Sequence, residues 1–387
     1  MNANVRTGVR ELEPESNKPI TILFLASELG SSSASAQMCR LASAFPGGRF
    51  SIVVVVVGHC DADLAGALQG SGVPVHHVRV RHFFDVSSQR KLRQLLASIH
   101  PAVIHAWGAT ATRLTRLLVN STDTGNTPRV VVSAAAGAGG GISGWLVRRG
   151  LRRADRVVPM SLPEGERYHK LGVLSERLTR IAPCVAMPGS VPDGEQFRRD
   201  LGVPPHAPLI FAAGRLETAS QFKSAIWAFD ILRYEAPDCH LVICGDGPER
   251  AALEAFGRAL AFDDFRVRFP GHRADVPELL GLADVVFVTQ LDDGMNVALE
   301  AMAAGKPVVA WNSAELAEVI EDGVTGFLAA PGERAQLAGK AYPILHEPGL
   351  AEKLGTAGRE RAIEHFSVAR AVEHFTQLYG ELCERPV

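Results

Sequence analysis

The sequence predicts an α/β protein built from two doubly wound parallel sheets. Short β-branched runs, such as Ile52–Val57 with its five consecutive valines, are far too short to span a bilayer and are typical of buried parallel strands. These runs alternate with segments of helical period. The 387 residues exceed what one small hydrophobic core needs, so we expect two domains.

The first half contains six strand patterns separated by helical patterns, which predicts a doubly wound sheet over residues 19–190. The expected strands are Ile20–Ala26, Ile52–Val57, Val73–Val80, Ala102–His105, Val130–Ser133 and Arg156–Pro159. Helices are expected over Ala36–Phe45, Asp61–Gln69 and Gln89–Ile99. The segment Pro188–Gly194 is rich in Pro, Gly and Ser and is the candidate hinge between domains.

The second half repeats the same alternation and predicts a second domain over residues 191–365. Its expected strands are Pro208–Gly214, His240–Cys244, Phe265–Pro270, Asp284–Val288, Pro307–Ala310 and Gly326–Ala329. A last amphipathic helix, residues 366–387, carries apolar residues at steps of three or four. We expect ligands at the carboxyl ends of the strands, above all in the stretch Ala283–Ala310, where a loop with two carboxylates leads into a helix.

Composition excludes some classes of function. Forty basic and forty-two acidic residues give a formal charge of −2, which offers no electrostatic case for nucleic acid as a partner. The six cysteines show no zinc or redox spacing, and residues 1–18 contain no apolar signal segment. The sequence therefore predicts a cytoplasmic protein with a flexible tail over residues 1–18. It predicts no transmembrane segment, although peripheral membrane contact stays open.

Five segments in order resemble the donor-nucleotide half of retaining glycosyltransferases with the GT-B fold, in particular the family-4 type known as glycosyl transferases group 1. They are GRL (Gly214–Leu216), CGDGPER (Cys244–Arg250), Arg268–Phe287, NVALEAMAAGKPVVA (Asn296–Ala310) and Glu315–Leu328. Any one of these motifs alone would be weak, but their shared order argues against chance. The resemblance is good over Pro208–Tyr379 and weak over the first half.

The resemblance implies two Rossmann-like domains facing across a cleft, with the last helix crossing back to the first domain. It implies transfer of a sugar from a UDP or GDP sugar to a carbohydrate or lipid-linked acceptor, with retention of configuration, no cofactor and no metal. Altered motifs leave open a second hypothesis, a GT-B-like nucleotide-binding or scaffold protein with reduced or lost turnover. The donor base, the sugar, the acceptor and the oligomeric state cannot be read from the sequence.

Donor-binding residues follow from the matching motifs. A guanidinium directly after a strand, as at Arg215, can hold diphosphate oxygens, and Glu300 matches the family's ribose-binding glutamate. Gly245 and Gly247 permit a tight turn, with or without ligand contact. The same motifs assign donor contacts to His272, Arg273, Gly294, Met295, Asn296 and Val297.

The donor half departs from the family at two places. Where the family has a phosphate-binding lysine, this sequence has Ser220, and the nearest lysine is Lys223, nearly one helical turn later. The first glutamate of the family's pair falls on Asp292 by spacing, or on Asp293 if one residue has been lost. Both aspartates are therefore candidates for the catalytic carboxylate, and Lys223 is either a phosphate ligand or a solvated lysine.

The first half departs as well. Ser32 and Ser33 stand where the family has a glycine pair that approaches the donor diphosphate, with Gly30 slightly upstream. Serine hydroxyls and amides can still donate hydrogen bonds, so this loop is either a donor contact or a plain serine loop. His105 matches the family's histidine at a strand end beside the reacting sugar and is the third catalytic candidate.

Overall fold

A computed structural model of the chain describes residues 19–45, 47–81, 85–119, 127–135, 141–261, 266–291 and 293–384. Within them the chain forms two six-stranded sheets with parallel neighbours, flanked by helices. The predicted fold class is therefore confirmed. The predicted tail over residues 1–18 lies outside the described residues.

The first sheet has the order β3-β2-β1-β4-β5-β6. Its strands are β1 (Ile20–Ala26), β2 (Phe50–Val56), β3 (Val75–His77), β4 (Val103–Trp107), β5 (Arg129–Ser133) and β6 (Arg156–Val158). Its helices are α1 (Ser33–Ala44), α2 (Ala62–Gly70), α3 (Val86–Ile99), α4 (Ala109–Val119), α5 (Gly141–Arg153) and α6 (Leu162–Lys170).

Helices cover both faces of the first sheet, which explains its apolar strands. Side chains alternate between the faces, so Ile22 and Phe24 of β1 pack in a core with α1 and α2. Leu23 and Leu25 pack in the opposite core, which contains α3, α4 and α5. The central strand β1 is thus buried on both sides, whereas His76 and His77 of the edge strand β3 are exposed.

The second sheet has the order β12-β11-β10-β7-β8-β9, the same order as the first when each is numbered from its own first strand. Its strands are β7 (Leu209–Ala213), β8 (His240–Cys244), β9 (Val267–Gly271), β10 (Val285–Val288), β11 (Val308–Trp311) and β12 (Gly326–Ala329). The remaining helices are α7 (Gly194–Leu201), α8 (Phe222–Leu232), α9 (Arg250–Ala261), α10 (Val276–Leu279), α11 (Met295–Ala303), α12 (Leu316–Val319), α13 (Arg334–His346), α14 (Leu350–Phe366) and α15 (Val368–Glu384).

The chain crosses between the two domains twice, at adjoining places. Cys184 packs in the first core, the one that α1 and α2 form on the first sheet, and Val185 packs in the second core, which belongs to the second sheet. Phe366 belongs to the second core, whereas Ala371 and the rest of the apolar face of α15 belong to the first. The backbone N–H of Val185 donates to the Phe366 carbonyl at 2.8 Å, so the two crossings are joined. The domain boundary placed at residue 190 stays a prediction, since the packing changes a few residues earlier.

Several element ends differ from the predicted ones. Helix α1 begins at Ser33 rather than Ala36, because the Ser32 hydroxyl accepts from the Ser35 N–H and caps the helix. Strand β4 continues two residues beyond His105, so this histidine lies in mid-strand. No helix among the described residues combines the length and apolar character that crossing a bilayer requires.

Candidate functional site

The carboxyl edge of the second sheet gathers four loops, which follow β7, β8, β9 and β10. Strands β7 and β10 are neighbours in the sheet although two other strands, β8 and β9, lie between them in sequence, and ligands bind at such a switch point in doubly wound sheets. Backbone hydrogen bonds join the loops: Gly214 donates to Cys244, Leu216 to Asp246 and Gly245 to Gly271. The predicted donor motifs are therefore neighbours in space.

Two glycines allow this close approach. Gly214 and Gly245 have φ values of +147° and +149°, which side chains disfavour. A Cβ atom added to Gly245 would lie 1.9 Å from the Gly214 carbonyl oxygen. The glycine at 245 is thus required by the backbone whether or not a ligand binds. Gly247, with an added Cβ at 2.4 Å from the Leu216 carbonyl oxygen, is constrained in the same way.

Arg215 and Lys223 are two of the cations at this edge. Arg215 follows β7, its side chain is 67% exposed, and its Nε lies 3.4 Å from the Glu217 carboxylate. Lys223 on α8 is 54% exposed, with Nζ 3.8 Å from Glu249, which belongs to the loop after β8. Both cations are held only loosely, so an anion at the strand ends could recruit them.

Ser220, at the position of the family's lysine, faces the protein. It is 5% exposed, its hydroxyl donates to the Arg215 carbonyl at 2.6 Å, and its carbonyl accepts from the Thr289 hydroxyl at 2.8 Å. This serine stabilises the turn that carries Arg215. The buried hydroxyl of Ser220 is therefore not exposed for the predicted contact with the donor.

The loop after β9 carries His272 and Arg273. His272 is exposed, whereas Arg273 forms a bidentate pair with Asp275 at 2.8 and 2.7 Å. The hydrogen bonds of this pair lower the pKa of Asp275 and raise that of Arg273. Arg273 also lies over the Phe197 ring at 5.6 Å. It is therefore more firmly positioned than Arg215.

The loop after β10 leads into α11. Asp293 is exposed, Gly294 is the residue before the helix, and Met295 and Val297 are partly buried on its first turn. Asp292 lies outside the described residues. An exposed carboxylate at Asp293 is consistent with a role toward substrate, and the choice between the two aspartates stays open.

Helix α11 faces α1 across the crevice between the sheets. Gln37 of α1 donates to Asn296 at 2.6 Å, and Arg40, one turn later, pairs with Glu300. Gln37 and Arg40 also bond the Cys184 carbonyl at 2.8 and 3.2 Å. The predicted donor residues Asn296 and Glu300 thus join the two halves.

The carboxyl group of Glu300 is largely enclosed. Burial raises its pKa, and the Arg40 guanidinium offsets part of that rise. Only Oε1 of Glu300 has a hydrogen-bond partner among the described residues, which leaves Oε2 as an acceptor. Sequence reasoning missed Arg40 and Gln37 as partners, although these two polar residues are three apart, beside the buried Met38 and Leu41, and mark one polar stripe on α1.

The loop after β1 also approaches this crevice. The Gly30 N–H donates to the Ser35 hydroxyl at 2.9 Å, and Ser32 caps α1. Ser33 is the first residue of α1 and is partly exposed. The serines therefore act first as local helix-capping groups. Amides at this helix amino end still favour an anion.

His105 does not reach the crevice. Its side chain is 0% exposed, Nδ1 lies 2.7 Å from the Tyr379 hydroxyl, and Nε2 lies 2.8 Å from the Ser133 hydroxyl. Rings of Phe24, Trp107 and Phe375 surround it. Burial lowers its pKa to about 3. The structure does not support a place beside the reacting sugar, because β4 extends past His105 and α15 covers it.

Metal ligation finds no support in the described part of the chain, where no group of three or more His, Cys, Asp or Glu side chains could hold an ion. The cations named above are the groups that could balance a bound diphosphate.

Comparison with known sequences gives the same assignment for both halves. Residues 193–361 match the family described as Glycosyl transferases group 1, and residues 34–184 match the Glycosyl transferase 4-like domain. A putative glycosyltransferase, EpsD of Bacillus subtilis, is 31% identical over 216 residues, 56% of this chain and 54% of EpsD. N-acetyl-alpha-D-glucosaminyl L-malate synthase of Bacillus anthracis is 27% identical over 49% of this chain and 50% of that protein. The chain spans about half the length of these curated relatives.

Solved structures share the fold over nearly the whole chain. HepE of Anabaena in complex with UDP-glucose superposes with a TM-score of 0.81 at 20% identity, over 94% of this chain and all (100%) of HepE. Sucrose-phosphate synthase of Thermosynechococcus elongatus superposes with a TM-score of 0.73 at 18% identity, over 94% of this chain and 99% of that one. With two facing sheets of one strand order and a family match for each half, the chain belongs to the glycosyl transferases of group 1 and has the GT-B fold.

Proposed function

We propose that the protein transfers a sugar from a nucleoside diphosphate sugar of UDP or GDP type to an acceptor, with retention of configuration. The observation that carries this proposal is the carboxyl edge of the second sheet. There Arg215 and Lys223 stand on one side of the β7 to β10 switch point, and the buried acceptor Glu300 stands on α11. Cations for a diphosphate and a carboxylate for ribose hydroxyls suit a nucleotide sugar.

Each group has a distinct part in the proposed reaction. The bond between the anomeric carbon and the diphosphate oxygen breaks, and the acceptor oxygen bonds that carbon on the same face. The acceptor proton passes to the departing phosphate oxygen, so no protein nucleophile is needed. Arg215, Lys223 and the amino ends of α1 and α11 stabilise the charge on the departing diphosphate without a metal. Asp292 or Asp293 contacts the donor sugar.

Ribose recognition is proposed for Oε2 of Glu300, while Arg40 keeps Oε1. In this arrangement the pair orients the carboxylate instead of competing with the nucleotide. A carboxylate can accept several hydrogen bonds, so one guanidinium does not exhaust it. Arg40 also holds the Cys184 carbonyl and thereby ties ribose binding to the relative position of the two halves.

The test is nucleotide binding by calorimetry and by thermal shift, with UDP, GDP and UDP-glucose as probes. At a concentration 100 times Kd, a ligand stabilises the folded state by about 2.7 kcal/mol, which a melting curve detects. We expect Glu300→Gln to weaken nucleotide binding at least about tenfold, since a neutral amide pairs poorly with both Arg40 and ribose. Glu352→Gln, an exposed carboxylate on α14, is the matched control. Equal affinities for the two variants, or no shift with any nucleotide at millimolar concentration, would contradict the proposal.

A second candidate function is nucleotide binding without turnover. It is favoured by Ser220, which stands at the position of the family's phosphate-binding lysine and whose hydroxyl donates to the Arg215 carbonyl. Proton NMR of a UDP-sugar incubated with the protein separates the two candidates. Release of UDP together with an α-linked product or free sugar supports the transferase. Binding without any release of UDP over a day supports the second function.

A further inference from the structure

One helical layer of the first domain is strongly basic. The layer consists of α3, α4 and α5, which pack together on the same face of the first sheet. Helix α6, which adds Tyr168 to that core, is not part of the layer, since its two glutamates balance Arg167 and Lys170. These helices contain no Asp or Glu and nine Lys or Arg residues: Arg90, Lys91, Arg93, Arg113, Arg116, Arg148, Arg149, Arg152 and Arg153. We call their outward surface the basic layer. In a chain of formal charge −2, such separation of charge marks an interaction surface.

The opposite face of the same sheet does not share this charge. Helices α1, α2 and α15 cover it. Their basic residues are Arg40 and Arg370, and their acidic residues are Asp63, Glu373, Glu381 and Glu384. The positive charge therefore belongs to one face of the domain and is not a general property of its helices.

Helix α5 adds exposed apolar side chains to the basic layer. Val147 and Leu151 are buried, and a Cβ atom added to Gly150 would lie 2.7 Å from the Thr112 carbonyl oxygen of α4. This close packing fixes the rotation of α5. As a result, Ile142 is 78% exposed and Trp145 is 54% exposed.

Trp145 and four arginines line a groove of about 380 Å³ on the outward side of α5. The Arg149 guanidinium lies 5.3 Å from the Trp145 ring centroid, and Arg148, Arg152 and Arg153 form no salt bridge within the described ranges. Arginines in the last turn also favour the helix dipole. That effect explains neither the arginine at 148 nor an exposed tryptophan and isoleucine.

We propose that the basic layer docks on an anionic membrane surface. Arginine and lysine side chains contact lipid phosphates, while Trp145 and Ile142 enter the boundary between headgroups and acyl chains. Charge and apolar insertion act together, which stable peripheral binding requires. The exposed apolar pair favours a membrane over nucleic acid, whose backbone offers no apolar phase. This docking does not depend on glycosyl transfer.

The test is sedimentation of the full chain with vesicles, at low and at physiological salt. We expect binding to phosphatidylglycerol-containing vesicles and little binding to pure phosphatidylcholine. The double variant Arg148→Gln/Arg153→Gln should lower the vesicle partition coefficient about tenfold or more, since each basic residue near an anionic surface contributes appreciably. The control Arg199→Gln/Arg258→Gln removes the same charge from exposed sites in the second domain and should bind as the wild type does.

A second measurement uses Trp145 itself. Vesicles should shift the tryptophan fluorescence of the wild type to the blue, and Trp145→Ser should abolish this shift while its melting curve confirms folding. Three results would each overturn the proposal: no binding of the wild type to anionic vesicles, equal loss in the control pair, or binding to a short DNA duplex that matches binding to vesicles.

Discussion

Strands β4 and β10 occupy the same place in two sheets of the same order, yet their carboxyl ends differ. In the first sheet the last residue of β4, Trp107, is 4% exposed and its ring centroid lies 6.3 Å from that of Phe375 on α15, and His105 two residues earlier is enclosed by aromatic rings and by the same helix. In the second sheet β10 is followed by buried Thr289 and Gln290, which bond the Ser220 and Ala213 carbonyls, and then by exposed Asp293. One strand end supports packing and the other supports a loop open to ligand.

The difference shows that strand order alone does not decide where a ligand-binding edge lies. The element that covers the strand end decides it. Helix α15 comes from the far end of the chain and converts the strand β4 into part of the core. Thr289 and Gln290, which directly follow β10, instead donate to a carbonyl in the loop after β7 and to the last carbonyl of β7, which positions Arg215 and the amino end of α11.

The largest expected effect comes from removing α15, the helix that covers β4. Truncation after Glu364 deletes α15 and exposes the surface against which Phe375, Leu378, Tyr379 and Leu382 are buried. Since single large-to-small changes in a core cost about 2 to 5 kcal/mol, we expect a loss of more than about 5 kcal/mol in the free energy of unfolding. Urea unfolding followed by circular dichroism, together with binding of a hydrophobic dye, measures it.

A milder variant keeps α15 and removes only its hydrogen bond to His105. Tyr379→Phe keeps the apolar contacts and leaves Nδ1 of His105 without the hydroxyl, at an expected cost of about 1 to 3 kcal/mol. Tyr342→Phe, at a partly exposed site that is 39% accessible, is the control and should cost little.

A truncated protein with the melting temperature of the full chain would show that α15 is dispensable. The difference between the ends of β4 and β10 would then need another cause.

The sequence was sufficient for the architecture and for the local structure of the predicted donor motifs, because these depend on local period and on the order of nearby segments. Strand β10 and the helix after it, for example, follow from an apolar run, a Gly-containing loop and a helical pattern. The sequence was not sufficient to predict that His105 lies inside its strand and is buried. A strand of four residues ending at His105 and one of five ending at Trp107 look alike locally, and only the packing of a helix from 274 residues away distinguishes them.

The pairing of Glu300 with Arg40 was beyond sequence reasoning for a similar reason. The two residues are 260 positions apart and belong to different sheets, so nothing in either local pattern connects them. Periodicity predicts that Glu300 lies on a helix. It does not predict which side chain of the opposite domain faces that helix.

The burial of His105 makes the free energy of unfolding depend on pH. Because burial lowers its folded pKa from 6.5 to about 3, the unfolded state takes up a proton first as the pH falls. The stabilisation is present above pH 6.5 and is lost between 6.5 and about 3. Between about pH 7.5 and about pH 5.5 we expect this one group to account for a loss of about 1.4 kcal/mol in the free energy of unfolding.

His105→Gln should flatten that dependence, whatever its effect on stability at neutral pH. Urea unfolding of the variant and of the wild type at both pH values measures the difference. His365→Gln, at a histidine that is 43% exposed, provides the control and should keep the wild-type dependence. If His105→Gln and the wild type lose equal stability on acidification, the ring is accessible to protons and the core position of β4 is in doubt.

The smallest expected effect concerns Lys223 at the edge of the second sheet. Its ammonium group lies 3.8 Å from Glu249 and is half exposed, so its gain from a bound phosphate is limited by solvent. Lys223→Ala should weaken UDP binding about three- to fivefold, which corresponds to less than about 1 kcal/mol, and should leave uridine binding unchanged. Calorimetry with both ligands measures the difference, and Lys353→Ala, an exposed lysine on α14, is the control. Equal weakening for UDP and uridine would mean that Lys223 does not contact the diphosphate. The second sheet would then present Arg215 and Arg273 without this lysine, and the contrast with the enclosed end of β4 would depend on the two arginines.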